Sequence, residues 1–408
     1  MTRTDYQDPA QVRRAYKFLL RPTSRQARLL AECLEDHRQI YNAALEERRE
    51  AWRIRQVQAS YSRQAGQLPT IRAADPCGQG RWSAGSQQQT LRRLDKAFAA
   101  FFRRIKAGEK RPGYPRFKGR GWFDTIEWPA EKNGARWDSV PHPKMTRVYL
   151  LGIGHVRVHR HRAVKGRVKT IMVKREACRW YVVLSCDDVP AGPLEPTGAV
   201  VGIDVGIASF LTTSDGGYVP NPRLQAATAE RLAVAQQSLA RKTRGSNRRR
   251  QAVRRVAALH AKVRRSRLDH AHKTALALVR DHDVIVHEDL RVANMTRRPR
   301  LRPAGDGTFE PNGARAKAGL NRSIYDAGWG MFLRVLATKA ESAGRTTIAV
   351  DARWTSQKCA RCGHVAEGNR ASQAVFRCLA CGHEAHADVN AAINILGAGL
   401  ALQRAEAV

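Results

Sequence analysis

Apolar and polar positions along this chain fall into several successive regimes. Residues 13–22, RRAYKFLLRP, alternate as one β-strand would, and Pro22 stops it. Thr23 then caps a long helix, with Gln26 at the capping-box position and an apolar stripe of Leu29, Leu30, Cys33, Leu34, Ile40, Tyr41, Ala44 and Leu45. Residues 61–85 hold Pro69, Pro76 and four glycines and predict a loop. A second helix is expected from about Gln87 to Lys106, with Leu91, Leu94, Phe98, Phe102 and Ile105 on one face, ending at Gly108.

From 145 to 186 the period changes to two, in RVYLLGI, HVRVHRH, KTIMVKR and RWYVVLSC; Val156 and Val158, and then Val168, Thr170 and Met172, mark single faces. These runs predict a small antiparallel sheet or barrel, with the helical block 23–118 inserted after its first strand. Residues 187–197, DDVPAGPLEPT, read as a proline-rich linker. Beyond it, Val200 to Asp204 is a buried-type strand, ASFLTTS a second one, and 222–280 a long helical region. The strand DVIVHEDL presents Glu288, and 296–322 reads as a basic mobile loop. DAGWGMFLRVLATKAESAG is a helix burying Trp329, Phe332, Leu333 and Leu336, and TTIAVD is a strand.

Charge narrows the partners. Lys and Arg number 72 against 36 Asp and Glu, a formal net charge of +36 on 408 residues. A surface this basic repels itself unless a polyanion covers it, and nucleic acid is the usual cover. Residues 241–267 carry twelve Lys or Arg and no acid, which favours a helix facing nucleic acid over a bare surface. The candidate contacts there are Arg241, Lys242, Arg248, Arg249, Arg250 and Arg267, with Lys273 following. The loop KRPGYPRFKGRGW interleaves Arg116 and Lys118 with aromatics, which suits phosphate contact and stacking, and equally suits a solvated loop with aromatics tucked into the core. No apolar run approaches the ~20 residues of a membrane span. The first ten residues, MTRTDYQDPA, carry no apolar leader, so a cytoplasmic protein is expected.

Four of the eight cysteines are scattered: Cys33, Cys77, Cys178 and Cys186. The other four form Cys359-x-x-Cys362 and Cys378-x-x-Cys381, fifteen residues apart, the spacing of a zinc ribbon. With every ligand position filled by thiolate, the expected site is closed and structural, and the neighbouring His364, His383 and His386 are expected to be surface groups or nucleic-acid contacts rather than ligands. Three acids stand apart: Asp204 and Glu288 end strands, and Asp388 opens an apolar helix. Each is weak alone, since GIDVG also suits an actin-like nucleotide-binding strand and Asp388 a helix N-terminal charge. Together they match the hard oxygen ligands that two Mg²⁺ ions need for phosphodiester cleavage.

An ordered set of motifs then gives a resemblance over nearly the whole chain: RPTSRQ, IYNAALEER, QTLRRLDKAFAAFF, GYPRFKGR, GIDVG, RKTRGSNRRR, RLDHAHK, HEDLRVANM, SIYDAGWGMF, TSQKCARCG and HADVNAAINI. The chain resembles TnpB, the nuclease encoded by bacterial insertion sequences, and the compact type V CRISPR effectors similar to it. The resemblance implies an α/β multidomain fold: a wedge-type β-barrel (1–22 and 119–195), an inserted helical recognition domain (23–118), an RNase H-like RuvC domain (196–356 and 384–408) and an inserted zinc ribbon (357–383). It implies a guide RNA, a double-stranded DNA target with a short flanking motif, and a monomer or dimer on one RNA, in a prokaryotic cytoplasm. It assigns Asp204, Glu288 and Asp388 to two Mg²⁺, the four cysteines to one Zn²⁺, and Gln88 to the flanking-motif duplex. An RNA-guided DNA-binding protein with weak or no cleavage is the alternative. One departure is His386-x-Asp388, where some relatives have Asp in place of the His.

Overall fold

Strand β1 (Gln11–Arg21) keeps the predicted alternation, burying Val12, Tyr16, Phe18 and Leu20. A computed structural model describes residues 11–140, 142, 145–304 and 308–406; the stretch MTRTDYQDPA, on which the expectation about a leader rested, lies outside them. The chain divides into two compact units, at Pro190/Ala191.

In the first unit, Thr23 caps α1 (Ser24–Arg55): its hydroxyl accepts the Gln26 N–H at 3.3 Å, and the Gln26 side chain accepts the Thr23 N–H at 3.1 Å. The predicted stripe is buried, with Leu29 at its rim and His37 added to it. The expected loop at 61–85 is corrected: α2 (Tyr61–Ala74) is a helix, with Pro69 inside it. Ser60 caps it, and Gln64 and Leu68 are buried, the Gln64 amide donating to Ala44 O of α1 at 2.8 Å. Packing here overrides the Pro and Gly signals. Helix α3 (Ala84–Lys106) buries Leu91 and Leu94, but Phe102 and Ile105 at its far end are exposed, contrary to the predicted stripe.

Strands β2 (Thr125–Trp128), β3 (Ala135–Arg136), β4 (Thr146–Leu150), β5 (Gly154–His159), β6 (Arg167–Glu176) and β7 (Arg179–Pro190) complete a seven-stranded sheet, near to a barrel. Its order is β2-β6-β7-β1-β5-β4-β3, every pairing antiparallel. The helical block is thus inserted between the central strand and the rest. In β6 the buried apolar residues are Ile171 and Val173, not Thr170 and Met172. A register shift between Val168 and Thr170 adds one residue and reverses the phase. The predicted linker also begins late, because Asp187 to Pro190 belong to β7.

The second unit opens with β8 (Val200–Asp204), β9 (Ser209–Thr213) and β10 (Tyr218–Pro220), followed by α4 (Ala229–Ala240) and α5 (Asn247–Asp281). Then come β11 (Val284–Glu288), the short α6 (Val292–Met295), a hairpin of β12 (Arg302–Pro303) and β13 (Phe309–Glu310), and α7 (Ala314–Ala327). The expected loop through 322 therefore ends early, in a helix. Gly328, at φ 73°, breaks α7 from α8 (Trp329–Ser342). The unit closes with β14 (Thr346–Val350), the pair β15 (Val375–Arg377) and β16 (Glu384–His386), and α9 (Ala387–Glu406).

The five-stranded sheet runs β10-β9-β8-β11-β14; β8, β11 and β14 are parallel to one another, while β9 and β10 pair antiparallel. On β8, Val201 and Ile203 point into a core built with Ala275 and Leu278 of α5 and Phe332 and Leu336 of α8. Gly202 points to the other face, where α9 lies so close that a Cβ would sit 2.1 Å from Ala392 O. Gly399 of α9 returns the favour against Val286 of β11. Bare backbone on both sides brings α9 down onto the sheet, and Asp388 with it.

Candidate nuclease site and four-cysteine frame

Parallel neighbours β8 and β11 end at the same edge of the sheet, and Asp204 and Glu288 occupy those ends. Asp388 lies in the first turn of α9, on the face Gly202 leaves open. The structure therefore brings the three predicted acids together. Loss of surrounding water, then the nearby charges of Glu288 and Asp388, lift the Asp204 pKa to about 7, against a partial pull down by Arg370. Burial also raises Glu288, and a hydrogen bond from Thr355 opposes it. A cleft of about 760 Å³ opens over these groups, lined by Asp204 and Glu288 together with Asp289, Asp351, Arg291 and Arg370. Among the described residues only the four cysteines gather three or more ligand atoms within 4.8 Å, so the acids are near one another without closing that far.

Two side chains complete the site that the sequence did not single out. Thr355 donates its hydroxyl to Glu288 at 2.6 Å. Arg370 Nη2 donates to Asp388 Oδ1 at 2.8 Å. The turn carrying Arg370 is pinned by the fully buried Asn369, whose amide reaches the carbonyls of Gln357 and His364 and accepts the Leu379 N–H. Arg370 sits between the two cysteine pairs, where no periodicity marks it. His386 accepts the Asp388 N–H on Nδ1 at 3.3 Å, so the residue at the departure from the family pattern caps the helix that bears the acid.

The four cysteines form one cluster. Cys359 and Cys381 sulfurs lie 3.8 Å apart, and Cys362 and Cys378 sulfurs 3.6 Å apart. A tetrahedron with metal–sulfur bonds of ~2.3 Å has edges of about 3.8 Å. These are non-bonded separations, and they fit a structural zinc with four thiolate ligands. Each half is the same knuckle: the N–H of Cys359 and of Cys378 bonds the carbonyl of the histidine five residues on, and Gly363 and Gly382, at φ 78° and 66°, bond back to those cysteines. Cys33, Cys77, Cys178 and Cys186 stand outside the frame as free thiols.

The candidate nucleic-acid contacts separate into two kinds. Gln88 is exposed on α3, while Gln87 beside it is buried, accepting from Arg72 and donating to Gln79. Arg116, Arg241, Arg248 and Arg250 are exposed. Lys118 lies over the Tyr41 ring, 5.5 Å from its centroid, with its backbone held by Asn42 and Arg38. Lys273 pairs with Asp269 at the surface. Arg249 turns inward and donates to the Leu239 and Lys242 carbonyls at the end of α4. Arg267 pairs with Asp326 at 2.7 Å and bonds Gln225. These last two are committed within the fold. No helix among the described residues is long and apolar enough to cross a membrane.

Comparison with known proteins agrees with this layout. A model described as a probable transposase, of the IS605 OrfB type, matches residues 182–298; a Cas12f1-like TNB domain matches 329–395; a helix-turn-helix domain matches 12–56. That last segment is a strand and one long helix in this structure. A relative from Escherichia coli (strain K12), described as "Putative RNA-guided DNA endonuclease InsQ", is 35% identical over 95% of this chain and 92% of its own. A relative from Streptomyces pristinaespiralis with a like description is 34% identical over 96% and 90%. Among solved structures, a Cas12f1 in complex with single guide RNA and target DNA superposes with a TM-score of 0.54 at 15% identity, over 91% of this chain and 83% of that one. The mini-RNA-guided endonuclease CRISPR-Cas_phi3 gives 0.56 at 10% identity, over 97% and 94%. By sequence over nearly its full length, with the fold in accord, the chain belongs to the IS605 OrfB/TnpB family, related to Cas12f.

Proposed function

We propose that this protein is an RNA-guided DNA endonuclease whose single cutting site consists of Asp204, Glu288 and Asp388. The observation that carries the reading is the gathering of three carboxylates at one sheet edge in a protein of net charge +36, where burial first and then the charges of Glu288 and Asp388 lift Asp204 to about 7. Such repulsion is costly unless a divalent cation relieves it, and carboxylate oxygens are the donors Mg²⁺ selects. Two Mg²⁺ ions held there would supply an activated water and neutralise charge on the leaving oxygen of a phosphodiester. Arg370 is placed to trade Asp388 for a phosphate oxygen as negative charge grows on it. Thr355 holds Glu288 in one orientation.

The sheet order, three antiparallel strands continued by two parallel ones, with acids on the first and fourth strands of the chain's path, supports an RNase H-like RuvC domain over 196–356 and 384–408. Residues 357–383 act as the zinc-ribbon module that loads target strand. Segments 1–22 and 119–195 form the wedge domain, with 23–118 as the recognition domain. The guide RNA supplies sequence specificity by base pairing, and the exposed arginines of α5 hold phosphate. Gln88 faces the flanking-motif duplex, on a complex of one or two chains per RNA.

The test starts with the RNA that copurifies. Once it is sequenced, a plasmid bearing its complement beside a randomised flank is supplied with Mg²⁺. Linearised plasmid is expected, and Asp204→Ala, Glu288→Gln and Asp388→Ala should each abolish cutting while binding persists. If the wild type binds the matched plasmid and never cuts it, the enzymatic reading falls and a repressor-like binding protein remains.

A further inference from the structure

The HADVNAAINI motif contains more than its acid. Asn390 and Asn394 are spaced one turn apart on α9, two and six residues after Asp388. Asn390 is fully buried; its side-chain oxygen accepts the Ala360 N–H at 3.0 Å, and its amide donates to Lys358 O at 2.8 Å. Asn394 donates to Thr355 O at 2.9 Å and again to Lys358 O at 2.7 Å. Four hydrogen bonds thus run from one helix face to the segment 355–360. That segment holds Cys359, the first thiolate of the frame, and Thr355, whose hydroxyl is on Glu288. From the other side, β16 passes into α9 with no intervening residue, and Ala387 packs in one buried cluster with Cys359, Phe376 and Cys378.

We propose that Asn390 and Asn394 are positioning residues that fasten the four-cysteine frame to the catalytic helix, so that Asp388 and the Thr355–Glu288 pair are set by one rigid piece. The frame then does more than approach substrate: its integrity fixes the spacing between Glu288 and Asp388, which come from different elements. The two asparagines use their groups differently. Asn390 needs an acceptor and a donor, whereas Asn394 needs only donors. This predicts an order of effects that simple space-filling does not. Asn394→Asp keeps the shape but turns a carboxylate toward two carbonyl oxygens; Asn394→Ala merely removes the bonds.

The inference rests on the three acids being the cutting site, and the experiment keeps the two apart. With guide RNA and saturating matched DNA, Asn394→Ala should lower the cutting rate constant about tenfold and Asn394→Asp about a hundredfold, as expected for lost and reversed hydrogen bonds. The KM for DNA and the zinc content of one per chain should stay unchanged. Hydrogen exchange at the Ala360 amide, read without any cutting, should speed up at least tenfold in Asn390→Ala, and in Asn394→Ala should quicken across 355–360. The proposal is overturned if Asn394→Asp cuts as well as Asn394→Ala or better, or if exchange over 355–360 is unaltered in both alanine variants. Should Asp204→Ala still cut, the site reading fails, while the exchange data judge the fastening by themselves.

Discussion

Asp204 and His37 are both ionisable groups whose burial shifts them, and they have opposite consequences. Asp204 is lifted from 3.8 to about 7. Below 3.8 both folded and unfolded chains carry the proton; as pH rises to 7 only the unfolded chain loses it freely, so metal-free stability falls across that window. Asp204→Asn should therefore raise the Tm of metal-free protein at pH 8 and leave it nearly unchanged at pH 3.5, while cutting is lost; an equal shift at both pH values would contradict a raised Asp204 pKa. His37 is fully buried, its Nδ1 2.7 Å from Cys33 O and its Nε2 2.9 Å from the Ser86 hydroxyl, and burial lowers its pKa to about 4. The unfolded chain binds that proton first, so this group withdraws stability as pH falls from 6.5 towards 4. In His37→Gln the fall in Tm over that window should be shallower, as measured by thermal melts of the first unit's spectroscopic signal. At this scale Asp204, Glu288, Asp388 and the cysteines stood out because each bounds an apolar run, at its end or its start, or repeats a ligand spacing. Arg370, Thr355 and His37 were not, since their partners are far away in sequence or their neighbours show no pattern.

Elements were readable where one face decides their fate. The α1 stripe and its capping box are examples, and β8 followed from VVGID. They were misread where tertiary contacts outweigh local signals. Gln64 and Leu68 hold α2 helical through Pro69, and an added residue in β6 reverses which side chains are buried. Gly202 makes the element-scale case for how α9 is seated. Gly202→Ala places a methyl 2.1 Å from Ala392 O, an overpacking that should cost about 1–3 kcal/mol and lift α9 off β8. A lower Tm with a raised Mg²⁺ requirement for cutting is expected; a normal Mg²⁺ requirement would show that Asp388 does not depend on that contact. Arg249 and Arg248 give a paired test on α5. Arg249→Ala should speed amide exchange at the α4–α5 turn, since it removes two hydrogen bonds to carbonyls, and Arg248→Ala should leave that turn intact and weaken RNA binding.

For the whole molecule, a net charge of +36 predicts a nucleic-acid affinity that falls steeply with salt, and the charge alone points to that class of partner. It could not say which arginines remain free. Arg267 and Arg249 look like the rest of the 241–267 run in sequence, yet Asp326 and the α4 carbonyls claim them. Stripping zinc should act locally: a chelator is expected to abolish cutting and loosen 355–386, while the pH signature of His37 in the first unit persists. Loss of that signature as well would mean the two units unfold together.

The passage of β16 straight into α9 bears on how such proteins can be inherited and rebuilt. A four-cysteine module looks like a cassette bounded by its outermost ligands, Cys359 and Cys381. Here the contacts that seat it lie outside those bounds, at Thr355 on one side and Asn394 on the other. Recombination between relatives at the cysteines would bring a foreign residue 370 to Asp388 and a foreign residue 369 to Gln357, parting pairs that reach across those bounds. Exchange over 355–394 would carry the lock and its key together, so the heritable block is wider than the metal site that defines it.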